Sequence, residues 1–416
     1  MLRSAHIRFT YSYNEYSRFL THREAERLEE LARQLFGKRI MHINATDTGG
    51  GIAEILQSLV PFEQSLQIKS MWRVLTVKRP FFSITKKIHH ALQGSRTILG
   101  TDSISEGEWQ FYLEHSKDIA HAIAGLHADI LIIHDPQPLV AGYLAEISAK
   151  KVLRIHIDMS SPDKEILSRF VPYFKKYERL VFSLPSYIAT GYETEQIAII
   201  SPSINPLSEK NKPMKRLDAR RMLSRFGVRG DSFLIAQVSR FDVWKDPIGV
   251  IQAFHMAQKT IPNSQLVLLG SIDIADDPEA AGIVKEIRVY TEKDPSVIII
   301  SEESDQLVNA VQTAADVVLQ KSLREGFGLT ATEAMWKARP VVAGNVGGLR
   351  AQIQDGENGF LVNSVEEAAI RVEELFRNER LRRELGEHAH ESVRERFLLP
   401  REALDHLQLY ADILGV

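Results

Sequence analysis

Cysteine is absent from the 416 residues. Disulfides, thiolate metal sites, iron–sulfur ligation and a cysteine nucleophile are therefore excluded, and nothing in the chain calls for an oxidising compartment. Net charge is also nearly absent. The 51 Lys and Arg against 54 Asp and Glu leave −3, so no overall field draws the chain to nucleic acid or to an anionic membrane. No apolar run approaches the ~20 residues that span a bilayer. The start, Met1-Leu2-Arg3-Ser4-Ala5-His6-Ile7-Arg8, opens no apolar core of signal-peptide length. The expectation is a cytoplasmic protein with neither nucleic-acid nor membrane partners. Several chemical signatures are missing as well. There is no H-E-x-x-H, no D-x-D-x-D-G loop and no histidine cluster at ligand spacing, so no metal site is expected. The lack of G-x-x-x-x-G-K-[ST] and of G-x-S-x-G weighs against a P-loop hydrolase and an α/β-hydrolase.

What is present is a long βα pattern. Length suggests two to three domains at ~150 residues each. Short β-branched runs alternate with amphipathic stretches, which predicts parallel sheets. Strands are predicted at Arg39–Ile43, Ile68–Leu75, Asp129–Ile133, Val152–Ile157, Leu180–Phe182 and Ile197–Ile200, then at Phe233–Val238, Gln265–Leu269, Val297–Ile300, Val317–Leu319, Val341–Ala343 and Gly359–Val362. Helices such as Ile52–Leu59, Pro247–Thr260 and Asp305–Ala315 lie between them. The proline-bearing polar stretch around 201–213 has no periodicity and reads as a boundary. The division is residues 1–203, a linker at 204–213, and residues 214–397, with a final amphipathic helix at about 398–416 returning to the first domain. The fold class is α/β: two doubly wound, Rossmann-like domains facing across a cleft at the carboxyl ends of their strands.

Six segments carry candidate chemistry. Asn44-Ala45-Thr46-Asp47-Thr48-Gly49-Gly50-Gly51 follows a strand and opens a helix, where glycines permit close approach and helix amides attract an anion. Its spacing lacks the third glycine of a dinucleotide fingerprint, and the next strand ends without an acidic residue, so NAD is not expected. A tight turn without a ligand is the competing reading. Arg240 and Lys245, in S-R-F-D-V-W-K, sit after the first strand of the second domain, where two cations suit a diphosphate. Their rival is a pair of solvated charges. Glu325-Gly326-Phe327-Gly328-Leu329-Thr330 leads into a helix bearing Glu333; amides there suit phosphate, and a loop carboxylate suits sugar hydroxyls. The bland alternative for Glu333 is a solvated helix carboxylate, and for Glu325 a charge complementing the helix dipole. His134-Asp135-Pro136-Gln137 and His156-Ile157-Asp158 end two predicted strands, and together read as a polar acceptor site; a lone histidine there would be structural. Ala343-Gly344-Asn345-Val346-Gly347-Gly348-Leu349 is a further strand-end glycine loop, open to a ligand's approach. Asp355-Gly356-Glu357-Asn358-Gly359, just beyond it, reads as a β-turn.

These motifs resemble the retaining glycosyltransferases of GT-B architecture in the glycogen-synthase/sucrose-synthase-like superfamily. The likeness rests on E-G-F-G-L-T-A-T-E-A, with seven residues between Glu325 and Glu333, on the basic pair and on the G-G-G loop. N-A-T-D-T-G-G-G-I-A-E-I-L, H-D-P-Q-P, H-I-D-M-S-S-P, S-I-N-P-L-S-E-K-N and R-E-G-F-G-L-T resemble, more narrowly, the glycosyltransferring trehalose synthases. Such enzymes join glucose from a nucleoside-diphosphate glucose to free glucose, reversibly. The resemblance implies that Arg240 and Lys245 hold the donor diphosphate, with Gly326, Phe327 and the amides of Gly328, Leu329 and Thr330. It implies that Glu325 binds donor-glucose hydroxyls and Glu333 the ribose, while Gly50 and Gly51 approach the donor from the other domain. His156 would lie near the reacting centre, and His134, Asp135, Gln137 and Asp158 would help it place the acceptor. It further implies no required cofactor, ADP-, UDP- or GDP-glucose as donor, a divalent cation as a stimulant at most, and it leaves a homodimer open. Two positions depart from the pattern: Asp246 stands where Gly is usual and Val243 where Pro is common, which puts an extra carboxylate beside the diphosphate. Two other readings stand beside this one. One keeps the fold with a sucrose-phosphate-like or lipid-linked acceptor, for which Arg79–Lys87 is the nearest membrane-binding candidate. The other is an inactive sugar-nucleotide-binding protein.

Overall fold

The structure, a computed structural model, describes residues 1–8, 10–94, 103–189, 194–270, 278–292, 294–302 and 304–416. It divides into two compact units. One comprises Met1–Ser203 with Leu399–Val416; the other is Ile204–Leu398.

The first unit is built on a seven-stranded sheet: β1 (Leu2–Ser4), β2 (Arg39–Asn44), β3 (Lys69–Leu75), β4 (Ile130–His134), β5 (Lys150–Ile155), β6 (Arg179–Phe182) and β7 (Ile197–Ile199). The spatial order is β1-β3-β2-β4-β5-β6-β7. All neighbours from β3 to β7 are parallel. Their near-continuous apolar runs, such as Ile130-Leu131-Ile132-Ile133, follow from burial on both faces. The order reverses between β2 and β4, the place where such sheets open a crevice at their carboxyl edge. Strand β5 ends at Ile155 rather than 157, so His156 and Asp158 stand on the loop beyond it.

Strand β1 escapes a periodicity reading because it has three residues. It pairs antiparallel with β3, Leu2 opposite Leu75. Arg3 clamps it through a two-pronged ion pair to Asp47, both contacts 2.7 Å. The Arg3 hydrogen bonds, with help from the His6 amide, hold the Asp47 carboxyl down to about 2. This folded value lies below the ordinary ~4, so the contribution is present above pH ~4 and is lost as pH falls towards 2. Arg3 is half exposed, which keeps the term under ~1 kcal/mol. Hydrogen exchange of the Leu2–Ser4 amides should therefore lose protection selectively between pH 4 and 2. Unchanged protection there would remove the clamp from the account.

Two helices of this unit matter for function. Arg79–Leu92 buries Phe81, Ile84, Ile88 and Leu92 against the unit's own core, so its apolar side is already covered. Leu399–Leu414 packs on the helices His22–Gln34 and Gly51–Ser65. It carries Glu402, His406 and Tyr410 into the interior. No helix among the described residues is long and apolar enough to cross a membrane.

The second unit holds a six-stranded parallel sheet: β8 (Phe233–Val238), β9 (Ser264–Leu269), β10 (Val297–Ile300), β11 (Val317–Gln320), β12 (Val341–Gly344) and β13 (Phe360–Val362). The order is β10-β9-β8-β11-β12-β13, the dinucleotide-fold arrangement, with its reversal between β8 and β11. The segment 204–213, read from sequence as a linker, is docked on this unit. Ile204 donates its N–H to Phe397 O at 2.9 Å, and Asn309 Nδ2 donates to the carbonyls of Glu209 and Lys212, each at 2.9 Å. Its Asn and Ser side chains close local turns, as in Leu207 N–H to Asn205 Oδ1 at 2.9 Å. The polarity that resembles a linker is spent on turn chemistry.

Candidate active site

In the second unit the two segments flanking the strand reversal meet. Lys245 comes from the loop after β8 and Glu325 from the loop after β11. Their Nζ and Oε2 lie 2.5 Å apart, and Ser322 Oγ donates to the same carboxylate oxygen at 3.1 Å. Sheet order, invisible to local pattern, makes residues eighty positions apart neighbours. The loops can pass because the adjoining strands end in glycine: a Cβ at Gly344 would stand 2.2 Å from Ser322 O, and one at Gly270 2.2 Å from Ser239 O.

Asp242 shapes the first loop. Its Oδ1 accepts from the amides of Trp244 and Lys245 at 2.9 and 3.2 Å, turning the chain so that Lys245 points back over the sheet. Arg240 is not drawn into the pair. It is 68% exposed, and its guanidinium lies 3.1 Å from Asp242 Oδ2.

Asp246 adopts φ +48, ψ +53, which explains why glycine suits this position. Here the carboxylate supports the turn itself. It caps the helix Pro247–Gln258 by accepting from Gly249 N–H at 3.1 Å, and it pairs with Lys321. Its charge is thus spent on a cap and a cation.

The helix Leu329–Trp336 starts at Gly328, which has φ +91 and no side chain to cap the first turn. A helix start of this kind leaves amides for an anion. Gly326 and Phe327 belong to the same loop. Glu333 is not a solvated carboxylate: it is buried, accepts from Gln312 Nε2 at 3.3 Å, and lies 4.0 Å from Lys210 Nζ. Lys210 comes from the 204–213 segment, within the S-I-N-P-L-S-E-K-N motif, which gave it no role of its own.

In the first unit, Gly49 and Gly50 take φ of +69 and +80 before the helix Gly51–Ser65. In the same unit, His42 on β2, His134 at the end of β4 and His156 just past β5 form a stack. His42 Nδ1 is 3.1 Å from His134 Nε2, and His134 Nδ1 is 2.9 Å from His156 Nε2. Ring planes are within 26° and 22° of parallel. These nitrogens face each other instead of a common point, and among the described residues no group of three or more His, Asp or Glu converges as metal ligands would. Burial keeps both His134 and His156 well below the usual imidazole range, helped at His134 by its neighbours His156 and His42 and at His156 by the Arg154 charge.

Asp135 is buried with φ +63 and ψ −179, a conformation that costs a non-glycine residue ~1–3 kcal/mol. The strain aims its Oδ1 at His156 N–H, 2.7 Å away. Burial pushes this carboxyl up to about 7, against the His156 amide and the Arg154 charge. Arg154 is itself buried, donating to the carbonyls of Phe182 and Ile200 at 3.1 and 2.6 Å. Asp158 instead turns on its own loop, accepting from Ser160 N–H at 2.9 Å. Gln137 lies in the first turn of Pro136–Leu144, partly exposed. Neither His42 nor Glu63 is among the residues singled out from sequence, although His42 is a lone polar residue in an apolar run, Ile40-Met41-His42-Ile43, and Glu63 closes another, Val60-Pro61-Phe62.

Family models match both halves. The trehalose synthase N-terminal domain matches residues 42–189, and glycosyl transferases group 1 matches residues 219–392. A trehalose synthase from Rubrobacter xylanophilus is 41% identical over 94% of this chain and 94% of its own. The chain belongs to the trehalose synthase family. A second relative, the trehalose synthase of Pyrococcus horikoshii, is 38% identical over 96% of this chain and 95% of its own. The fold of this family member is also that of an α,α-trehalose-phosphate synthase (UDP-forming) from Burkholderia vietnamiensis. The two align with a TM-score of 0.68 at 13% identity, covering 91% of this chain and 97% of the other. It is thus a glycosyltransferase of GT-B architecture, with two parallel-sheet α/β units. The paired strand-end loops described above fall inside the two matched domains.

Proposed function

We propose that this glycosyltransferase acts on trehalose, transferring glucose from a nucleoside-diphosphate glucose to free glucose with retention, in a reversible reaction that yields α,α-trehalose. The observation that carries the reading is the Lys245–Glu325 pair at the β8/β11 reversal, next to an uncapped helix start. Departure of the diphosphate from C1 puts negative charge on the leaving oxygens and positive charge on the sugar. A fixed ammonium and fixed amides stabilise that separated charge more than the ground state. Lys245 and Arg240 would meet the diphosphate, joined by the amides of Gly328, Leu329 and Thr330. Glu325 would accept from donor-glucose hydroxyls, and Glu333, steadied by Lys210, from the ribose. In the first unit Gly50 and Gly51 would approach the donor, while His134, Asp135, Gln137, His156 and Asp158 would place the acceptor glucose. The charge on the leaving group is met by side chains and amides, so the reading calls for no cofactor.

The test is product analysis. ADP-, UDP- and GDP-glucose are each incubated with and without free glucose. Nucleoside diphosphate should appear only with glucose, and the product should be a non-reducing disaccharide. Release that depends on a phosphorylated or lipid-linked sugar instead would reassign the acceptor. Binding of donor without release under any condition would make this a sugar-nucleotide-binding protein.

A further inference from the structure

The histidine stack does not end at His42. On its other side, His42 Nε2 lies 3.3 Å from Glu63 Oε2, which also accepts from Ser70 Oγ at 2.5 Å. Glu63 Oε1 accepts from Tyr410 Oη at 2.9 Å. His42, Glu63 and Ser70 are buried, and His134 is 2% exposed. His156 alone of the three histidines is partly exposed, and its Nδ1 has no hydrogen-bond partner among the described residues. The chain therefore runs from a partly open imidazole to a closed-in carboxylate through two intervening rings.

Hydrogen-bond chemistry gives this chain one arrangement when its rings are neutral and Glu63 is ionised, and an added proton can then rest on any of the three rings. Each ring–ring contact needs one N–H and one lone pair. With all three rings neutral and Glu63 ionised, His42 Nε2–H donates to Glu63. His134 Nε2–H then donates to His42, and His156 Nε2–H to His134. His156 is left with a bare lone pair on Nδ1. One added proton that comes to rest on His42 reverses both ring–ring bonds. It enters at His156 Nδ1, the Nε2 hydrogen of His156 passes to His134 Nδ1, and that of His134 passes to His42 Nδ1. The charge comes to rest as a His42 imidazolium against Glu63, and His156 now presents an N–H. No atom other than hydrogen moves. We propose that His42, His134 and Glu63 are positioning residues forming a one-proton relay, which decides whether His156 offers its sugar substrate an acceptor or a donor. The role given to His156 rests on the transfer reading above; the relay itself does not.

The surroundings suit this arrangement. Burial raises the Glu63 carboxyl, but the contacts from His42 and Ser70 bring it below its ordinary range. Burial and the Arg154 charge on β5 oppose a positive charge on His156, and burial, its two neighbouring histidines and Arg154 oppose one on His134. The remaining groups around the chain are Asp135, which holds the His156 amide, and His406, Tyr410 and Glu402 on the C-terminal helix.

Nitrogen-15 NMR of the histidine rings, recorded on the intact chain without substrate from pH 5 to 9, tests the relay. His156 is assigned by loss of its signal in His156→Gln, and His42 and His134 likewise. At every pH the three rings should share one sense, all with hydrogen on Nε2 or all reversed with His42 doubly protonated. Mixed senses, or rings that titrate separately, overturn the proposal. In Glu63→Gln the proton affinity of the chain should fall at least tenfold, and the acid limb of the kcat profile should move with it while KM for the nucleotide sugar holds. A uniform fall in kcat at all pH values, with the limb unmoved, would mean that Glu63 is merely structural. Because the NMR arm needs no turnover, failure of the relay and failure of the transfer reading are told apart.

Discussion

Glu325→Ala should abolish glucosyl transfer while leaving the second unit folded. The carboxylate stands on a loop, where Lys245 and Ser322 contact it. Its removal takes away the acceptor proposed for the donor-sugar hydroxyls and frees Lys245 from its placement. Loss of one preorganised polar group at a reacting centre costs roughly 10²–10³ in kcat. Loss of two linked functions should reach the upper end of that range. Glu325→Gln separates them: it keeps an acceptor for hydroxyls but gives up the charge that orients Lys245, so it should retain more activity than Ala. Steady-state kinetics with the preferred donor, and thermal melting to show that the fold is intact, decide the matter. Near-wild-type turnover by a folded Glu325→Ala protein would remove the pair from the active site.

The second large effect concerns stability. Asp316 precedes β11 and is buried, and it neutralises two cations. Arg216 lies 2.5 Å from its Oδ1, and Arg220 3.0 Å from its Oδ2; Leu234 N–H donates to Oδ2 at 2.9 Å. Arg339 is close by. Burial, then repulsion from Arg216, brings its guanidinium down to about 10, with Asp316 opposing. Asp316→Asn keeps the shape but leaves Arg220 buried beside other cations without its paired carboxylate, with only the weaker pull of Asp231. Breaking a buried pair from one side costs about 3–5 kcal/mol. At about 2–4 °C per kcal/mol for a unit of this size, melting of the second unit should fall by roughly 6–20 °C. The activity of protein still folded at low temperature should be unchanged, because the cluster lies at the amino ends of β8 and β11. A shift below ~2 °C would show that the three arginines are solvated without Asp316.

Asp246 illustrates how the sequence and the structure divide the account. Its departure from glycine is visible in the sequence, where it puts a carboxylate beside a proposed diphosphate site. The backbone angle explains the preference for glycine, and the Lys321 pair with the Gly249 cap explains the tolerance of Asp. None of these partners is local apart from the cap. Glu333 is similar. A surface carboxylate was the bland expectation, because one helical turn gives no sign of what covers it. Burial and the approach of Lys210 come from a segment 123 positions away in the chain.

The sequence by itself determined two runs of βα units, the strand-end loops that carry Arg240, Lys245, Glu325, His134 and His156, and the eight-residue step from Glu325 to Glu333. Those are matters of local period and loop chemistry, which a few neighbouring residues specify. Only the tertiary structure decided which strands lie side by side, and hence that Lys245 meets Glu325 and that His42, His134, His156 and Glu63 form one chain. Strand neighbours are chosen by burial and hydrogen bonding between distant segments, and each such choice depends on the whole sheet, so no window of sequence contains it.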